Sequence, residues 1–284
     1  MGWDDSGLTE DQVAFCRRVL PGSRIVADDS WGLLDTRVLH VRGPSGDHTV
    51  KASGPANTHF PRELEAHRRW TTSLVERGDT SRLVAVDETA RVLVLDRLPG
   101  HLALGTPDEH DPEVHRQAGA LLRRFHDQAA RVDHDFLPAE QRKALASLTA
   151  RHRIPPETVE RTRAALLSHE PGPVTVVPTH GDWHPRNWIV HGRRLHAIDF
   201  GRFALRPAPL DLTRLAVLHW QADPGLEEAF FAGYGDDPRD PALWRWFQLR
   251  EAVGTAVWAF AVQDEVFEAQ GHRMLADALA AFGH

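Results

Sequence analysis

The stretch T-H-G-D-W-H-P-R-N-W-I-V, residues 179–190, places His180, Asp182, His184 and Asn187 within eight positions. Two chemistries fit these letters. A His-x-Asp-x-His run could ligate a metal ion in a hydrolase, where zinc takes three protein ligands and keeps one position open. The same run could be a phosphoryl-transfer loop, with Asp182 accepting a proton and Asn187 on magnesium. The downstream sequence favours the second. Asp199 follows Asn187 by twelve residues, at the end of the β-like run R-L-H-A-I-D. A strand pair after the loop would return Asp199 to the side of Asn187, so that three oxygen-bearing side chains converge. Hard oxygen donors suit Mg²⁺, and phosphoryl transfer needs a group to position the nucleophile plus cations to neutralise the transferred group. Of the 18 histidines, none recurs at a metal-site spacing such as H-E-x-x-H.

Working outward, Lys51 lies in the alternating run T-V-K-A-S. Lys51 and Lys143 are the only lysines among 33 basic residues, so each draws scrutiny. A strand lysine can reach nucleotide phosphates, and a carboxylate on the next helix normally holds it. Glu63 and Glu65 are the candidates; they point about 200° apart on a helix, so only one can face the cleft, and Glu63 is favoured.

The rest of the chain supplies a frame. Thr9–Gln12 has capping-box form and opens a helix running to about Leu20. β-like runs follow, with a turn at 43–47, then one helix expected over 60–78, then two more β runs at 82–87 and 91–96. Beyond residue 98 helical patterns dominate, at roughly 112–130, 138–150 and 155–169, and again from Pro209 onward. The expected architecture is α+β and two-lobed: residues 1–97 a small antiparallel-sheet lobe binding nucleotide, residues 98–284 a larger, mainly helical lobe with the catalytic loop and acceptor site. Ligand sites favour the cleft between such lobes.

At 284 residues, 42% hydrophobic and 26% charged, the composition is that of a globular protein able to bury a full core. No apolar run approaches membrane-spanning length, and the acidic, polar N-terminus argues against a secretory signal. With Cys16 alone, no internal disulfide forms, and the cytoplasm is the expected setting. A net charge of −7 gives no basic face for nucleic acid. Residues 207–284, with twelve acids and five basic residues, hold that whole excess.

Taken in order, Lys51, Glu63, "VLDRLPG" (94–100), "HGDWHPRN" (180–187), "IDFG" (198–201) and "APLDLTRL" (208–215) resemble the aminoglycoside phosphotransferase family of small-molecule kinases. That family includes choline-kinase-like relatives and has the protein-kinase-like fold. The resemblance implies Asp182 as catalytic aspartate, Asn187 and Asp199 as magnesium ligands, and Lys51 with Glu63 on the nucleotide phosphates. It implies His180 and Asp211 as braces of the catalytic loop, and Leu122–His126 in "LLRRFHD" as structural. It places the Asp96 carbonyl and the Leu98 amide on the adenine edge. The cofactors it implies are ATP or GTP, with Mg²⁺, and the protein would be a monomer or homodimer.

Two departures stand out. No G-x-G-x-x-G loop covers the phosphates; "DSWGLLDTR" takes its position, with Ser30 and Gly32 as the contacts expected there. Asp-Phe-Gly at 199–201 is closer to protein kinases than to many family members, yet only eleven residues separate Asp199 from Asp211, too few for an activation loop.

The expected reaction is phosphorylation of a small-molecule hydroxyl. The expected acceptor is an antibiotic, aminoglycoside-like or another hydroxylated natural product, with resistance or self-protection as the role; an amino alcohol or sugar of primary metabolism is the alternative. Acids of the C-terminal third, Asp223, Glu227, Glu228, Asp236, Asp237, Asp240, Asp264, Glu265 and Glu268, form the pool expected to attract a cationic acceptor. Trp183, next to Asp182, is a further candidate for the acceptor pocket. A metal-dependent hydrolase and an inert kinase-like binding module are the other readings.

Overall fold

The computed structural model describes residues 2–30 and 35–282, so Gly32 lies outside the described residues. Helix α1 (Glu10–Val19) begins at the expected reciprocal cap: the Gln12 amide N–H donates to the Thr9 hydroxyl, and the Thr9 N–H donates to the Gln12 side chain. Strands β1 (Arg24–Asp28), β2 (Thr36–Gly43), β3 (Gly46–Ser53), β4 (Leu83–Asp87) and β5 (Val92–Asp96) form one antiparallel sheet in the order β1-β2-β3-β5-β4. Successive strand residues point to opposite faces. Leu39, Val41, Val50, Val92 and Val94 therefore pack with Val13, Phe15 and Cys16 of α1, and burial pushes the Cys16 thiol up to about 12. Lys51 follows Val50 and takes the other face, in register with Val38 and Leu93. Helix α2 (His59–Arg69) covers part of that face through Phe60 and Leu64 against Leu93.

The single helix expected over 60–78 is broken. It stops at Arg69, and a short α3 (Thr72–Glu76) follows. Thr71 donates its hydroxyl to the His67 carbonyl at 3.3 Å. Hydroxyl and β-branched side chains in the run Thr71-Thr72-Ser73 offer the backbone alternatives to helix, which accounts for the break.

The second half contains β6 (His101–Leu102), α4 (Pro112–His126), β7 (Arg131–Asp133), α5 (Phe136–Ser147), α6 (Pro156–Leu167), β8 (Val174–Thr179), β9 (Trp188–His191), β10 (Arg194–Ala197), β11 (Ala204–Arg206), α7 (Thr213–Leu215), α8 (Pro224–Tyr234), α9 (Pro241–Ala261) and α10 (Glu265–Ala280). A π-helical turn, Ala216–Trp220, joins α7 to α8. Helices α4 and α8 cross at glycine: a Cβ on Gly119 would fall 2.1 Å from the Phe230 carbonyl oxygen, and one on Gly233 1.8 Å from that of Arg116. Two small sheets, β10-β9-β6 and β11-β8-β7, hold the ends of the 179–199 segment.

The two halves are tied beside that segment. The Ala197 N–H donates to the Asp79 carbonyl at 2.8 Å, and the Thr80 hydroxyl donates to the Ala197 carbonyl at 2.7 Å. The buried Asp79 carboxylate also meets Arg124 at 3.0 Å and Arg194 at 2.9 Å. The chain leaving α3 is thus pinned to β10, two residues before Asp199. The architecture is a small antiparallel-sheet lobe on a larger helical lobe, as the pattern of elements led one to expect.

Candidate active site

The catalytic-loop candidate leaves β8 at Thr179 and re-enters sheet at Trp188. Gly181 makes the turn at φ +81°; a Cβ there would lie 2.3 Å from the Arg202 carbonyl oxygen, so only glycine fits. Asp211, 2% exposed, anchors this turn from below. Its carboxylate accepts the N–H groups of Gly181 at 2.5 Å and His180 at 2.8 Å, and meets His126 Nε2 at 3.0 Å. These donors, with nearby His180, hold the Asp211 carboxyl below its ordinary value although burial pushes it up. His126 Nδ1 in turn meets the Tyr234 hydroxyl at 2.8 Å, so α4, α8 and the loop share one buried polar chain. His180 Nε2 donates to the Ile198 carbonyl at 2.9 Å while its Nδ1 accepts the Asp182 N–H at 3.3 Å. Both ring nitrogens face backbone, which leaves none for a metal. Among the described residues no group of three or more His, Cys, Asp and Glu is placed to hold a metal ion.

Antiparallel pairing of β9 with β10 brings Asp199 back to Asn187: Trp188 lies opposite Ala197, and the Ile198 N–H donates to the Asn187 carbonyl at 3.0 Å. Asp199 adopts φ +66°, a left-handed conformation uncommon for a residue with a Cβ. Asn187 directs its amide nitrogen to the Asp182 carbonyl (2.7 Å) and carboxylate (3.2 Å), which leaves its amide oxygen to coordinate. That oxygen and the Asp199 carboxylate are hard donors on one cavity wall, a fit for Mg²⁺, which takes a few protein oxygens and completes its shell with water and phosphate.

Lys51 crosses between the lobes. Its ammonium lies 2.6 Å from Glu63 and 2.8 Å from Asp199. Glu63 is 4% exposed and buried under the sheet, whereas Glu65 faces solvent. Burial opposes the Lys51 charge, but Asp199 and Glu63 outweigh it and raise its pKa. The Lys51 ammonium holds the partly exposed Asp199 carboxyl down, to about 2; burial leaves Glu63 above its ordinary value. A cavity of about 380 Å³ opens from this triad. Val38, Leu95, Leu98, Ile189 and Ile198 give it apolar walls, with Thr49, Arg97 and Arg186 at its edges. The lining makes this an apolar slot with charged groups around Lys51.

The remaining expected residues are less central. Leu98 lines the slot; the Asp96 side chain turns away to Arg82 at 2.8 Å. Ser30 uses its hydroxyl to accept the Val38 N–H at 2.9 Å, fastening β2. Trp183 borders the second cavity, described below, but its side chain is 1% exposed and packs on His180 and Trp188 in the core. It supplies no open platform for an acceptor. Asp223 caps α8, accepting the Gly225 N–H at 3.0 Å, and lines neither cavity. The rest of the acidic pool is likewise absent from both. Asp240 and Asp264 cap α9 and α10, and Glu227 and Asp237 clasp Arg239. Glu265 and Glu268 lie 3.9 and 3.2 Å from Arg153. The expectation that these acids form a cation site at the cleft is therefore corrected: none lines either cavity, and helix ends, Arg239 and Arg153 engage most of them.

The surroundings of Asp182 hold what the sequence did not disclose. Its carboxylate, 4% exposed, meets Arg214 at 2.6 Å, Arg186 at 2.9 Å and His184 at 3.5 Å. Burial pushes this carboxyl up, but His184 and Arg214 together hold it far below the usual carboxylate range. Asp182 opens on a second cavity, about 480 Å³, on the far side of its contact with Asn187. One cavity offers hard donors and an ammonium, the other a carboxylate able to orient a hydroxyl.

The comparisons agree with this geometry. The family model described as the phosphotransferase enzyme family (APH) matches residues 30–247. No curated protein sequence matches. Among solved structures, macrolide 2'-phosphotransferase MphH from Brachybacterium faecium is 19% identical, with TM-score 0.66, covering 94% of this chain and 98% of its own. Choline kinase LicA from Streptococcus pneumoniae is 16% identical, with TM-score 0.65, covering 94% and 97%. Aminoglycoside phosphotransferase APH(4)-Ia, solved in a ternary complex with ADP and hygromycin B, is 10% identical, with TM-score 0.70, covering 96% and 99%. The match over residues 30–247, with a two-lobed fold shared with these enzymes, shows that the chain belongs to the phosphotransferase enzyme family and is a small-molecule phosphotransferase with the protein-kinase-like fold.

Proposed function

We propose that the protein transfers the γ-phosphoryl group of ATP to a hydroxyl of a small molecule in a Mg²⁺-dependent reaction. The observation that carries this is Lys51, set between Glu63 and Asp199 with Asn187 on the same cavity wall. In this reading the apolar slot takes the adenine and Lys51 binds the phosphates. Asn187 and Asp199 would hold magnesium, which when bound neutralises charge on the phosphates. The acceptor enters the cavity at Asp182. The carboxylate accepts a hydrogen bond from the hydroxyl and aims its oxygen along the line of transfer. Because Arg214 and His184 keep Asp182 ionised, it is a weak base. That suits a loose transition state, in which the hydroxyl proton leaves late and positioning dominates. Arg186 touches Asp182 and also lines the nucleotide slot, where it can follow charge as it moves between the cavities.

The test is phosphoryl transfer itself: ADP release and phosphorylated product with purified protein, Mg²⁺ and candidate acceptors. Asp182→Ala should lower turnover by roughly 10²–10⁴-fold, and Asp199→Asn should abolish the magnesium-dependent rate. A wild-type rate retained in either variant would reject the assignment.

A further inference from the structure

The cavity at Asp182 is basic. Six cationic side chains line it, Arg62, Lys143, Arg202, Arg206, Arg214 and Arg250. Three of these have their charge answered: Arg214 meets Asp182, Arg250 meets Glu140 and Glu251, and Lys143 lies 3.8 Å from Glu140. Asp211, the other acid in the wall, is committed to His126 and to two backbone N–H groups. Arg62, Arg202 and Arg206 have no carboxylate within 4.0 Å among the described residues.

The position of two of them matters most. Arg202 and Arg206 flank Gly181, the residue before Asp182: a Cβ on Gly181 would lie 2.7 Å from an Arg206 guanidinium nitrogen and 2.9 Å from Arg202 Cβ. Both side chains are half-buried. Burial and the neighbouring Arg214 lower the Arg202 pKa against the more distant Asp182 and Glu251, and burial lowers that of Arg206 against Asp211 and Glu140, while both guanidinia stay protonated. A half-buried guanidinium with no carboxylate in direct contact is costly, and its planar fork matches the oxygens of a carboxylate or phosphate. Phe136, Leu205 and Leu210 complete the wall with apolar surface.

Resting on the phosphotransferase reading above, we infer that the acceptor is a hydroxylated organic anion, whose carboxylate or phosphate is held by Arg202 and Arg206 while its hydroxyl lies at Asp182. The ammonium-rich acceptor expected from the C-terminal acids has the same sign of charge as this cavity and would be repelled by it.

The experiment uses the full chain with Mg²⁺ and ATP and four probes at matched ionic strength: gluconate, glycerol 3-phosphate, sorbitol and glucosamine. Thermal stabilisation measures binding; ADP release and ³¹P NMR of the product measure transfer. The two anions should raise Tm and be preferred at least about tenfold over the neutral and cationic probes. Arg202→Gln/Arg206→Gln should cancel the anions' stabilisation and raise their KM by about 10²-fold with a smaller change in kcat. Lysine at both positions should restore part of the binding. Preference for gluconate or for glycerol 3-phosphate separates a carboxylate from a phosphate site. Stabilisation by glucosamine equal to or above that by the anions, no stabilisation by either anion, or an unchanged KM in the double variant would overturn the inference. ATP binding that is absent or independent of Mg²⁺ in the wild type would instead overturn the phosphotransferase reading beneath it.

Discussion

Replacing Lys51 by methionine isolates the electrostatics of the cleft. The substitution keeps most of the side-chain volume and removes the ammonium, leaving two carboxylates without their cation. They differ in what that costs. Asp199 has 46% of its side chain exposed and can turn to water, so its loss contributes little. Glu63 is 4% exposed, packed under the sheet, and keeps the Phe200 backbone N–H and His67 Nε2 at 4.0 Å, neither of them a charge. Burial drives that imidazole's pKa down to about 3, so it brings no charge. Breaking a buried pair by removing one partner costs about 3–5 kcal/mol. For a chain of this size that is roughly 5–8 °C in Tm. The loss should depend on pH. Burial already raises the Glu63 pKa, and without Lys51 it rises further. A carboxyl whose folded pKa exceeds its unfolded value of about 4.3 contributes less stability as pH rises through that range. Urea unfolding should therefore show Lys51→Met losing more at pH 8 than at pH 5, where Glu63 takes up a proton. Adding Glu63→Gln should recover most of the loss without restoring activity. A loss below about 1 kcal/mol, or one indifferent to both pH and Glu63→Gln, would refute this account of the pair.

Other outcomes follow from the loop. Asp211→Ala strands two buried N–H donors and one imidazole; at about 1–3 kcal/mol each it should cost several kcal/mol by denaturant unfolding, with turnover falling in the fraction that stays folded. Gly181→Ala, facing a carbonyl at 2.3 Å and a positive φ, should fold poorly or lose activity, as circular dichroism and turnover would report. Arg214→Ala removes a cation that holds Asp182 down, so the acid limb of kcat/KM should move upward toward the ordinary carboxylate pKa of about 3.9 or beyond; an unmoved limb would exclude Arg214 from that role.

Much of the site was readable because its residues recur at fixed offsets in one segment. Asp182 to Asn187 is five residues of one loop, and Asp199 returns through the strand pair that the β-like run R-L-H-A-I-D led one to expect. Lys51 and Glu63 were found by strand alternation and helix phase. The acids of the last third misled because charge was counted without position. Asp223-Pro224 and Asp240-Pro241 carry the signature of a capping aspartate before a proline at the first helical turn, which would have assigned them to helix ends. Trp183 does border the cavity at Asp182, as its adjacency suggested, but its ring is buried against His180 and Trp188, which adjacency alone could not tell. Arg202, Arg206 and Arg214 were invisible as a group, since they meet only when β11 pairs with β8 and brings the segment after Asp199 beside Gly181. In an arginine-rich chain no local pattern distinguishes them. The short strands β6, β7 and β11 were missed for the same reason: two or three residues hold no period.

The central claim is that Lys51, Asn187 and Asp199 form a magnesium-nucleotide site. Calorimetric titration of ATP into the wild-type protein and into Asp199→Asn, each with and without Mg²⁺, tests it most directly. Binding in the wild type should require Mg²⁺ and weaken at least about tenfold in the variant, a loss of about 1.4 kcal/mol or more. Absent binding, or binding indifferent to both Mg²⁺ and Asp199, would contradict it.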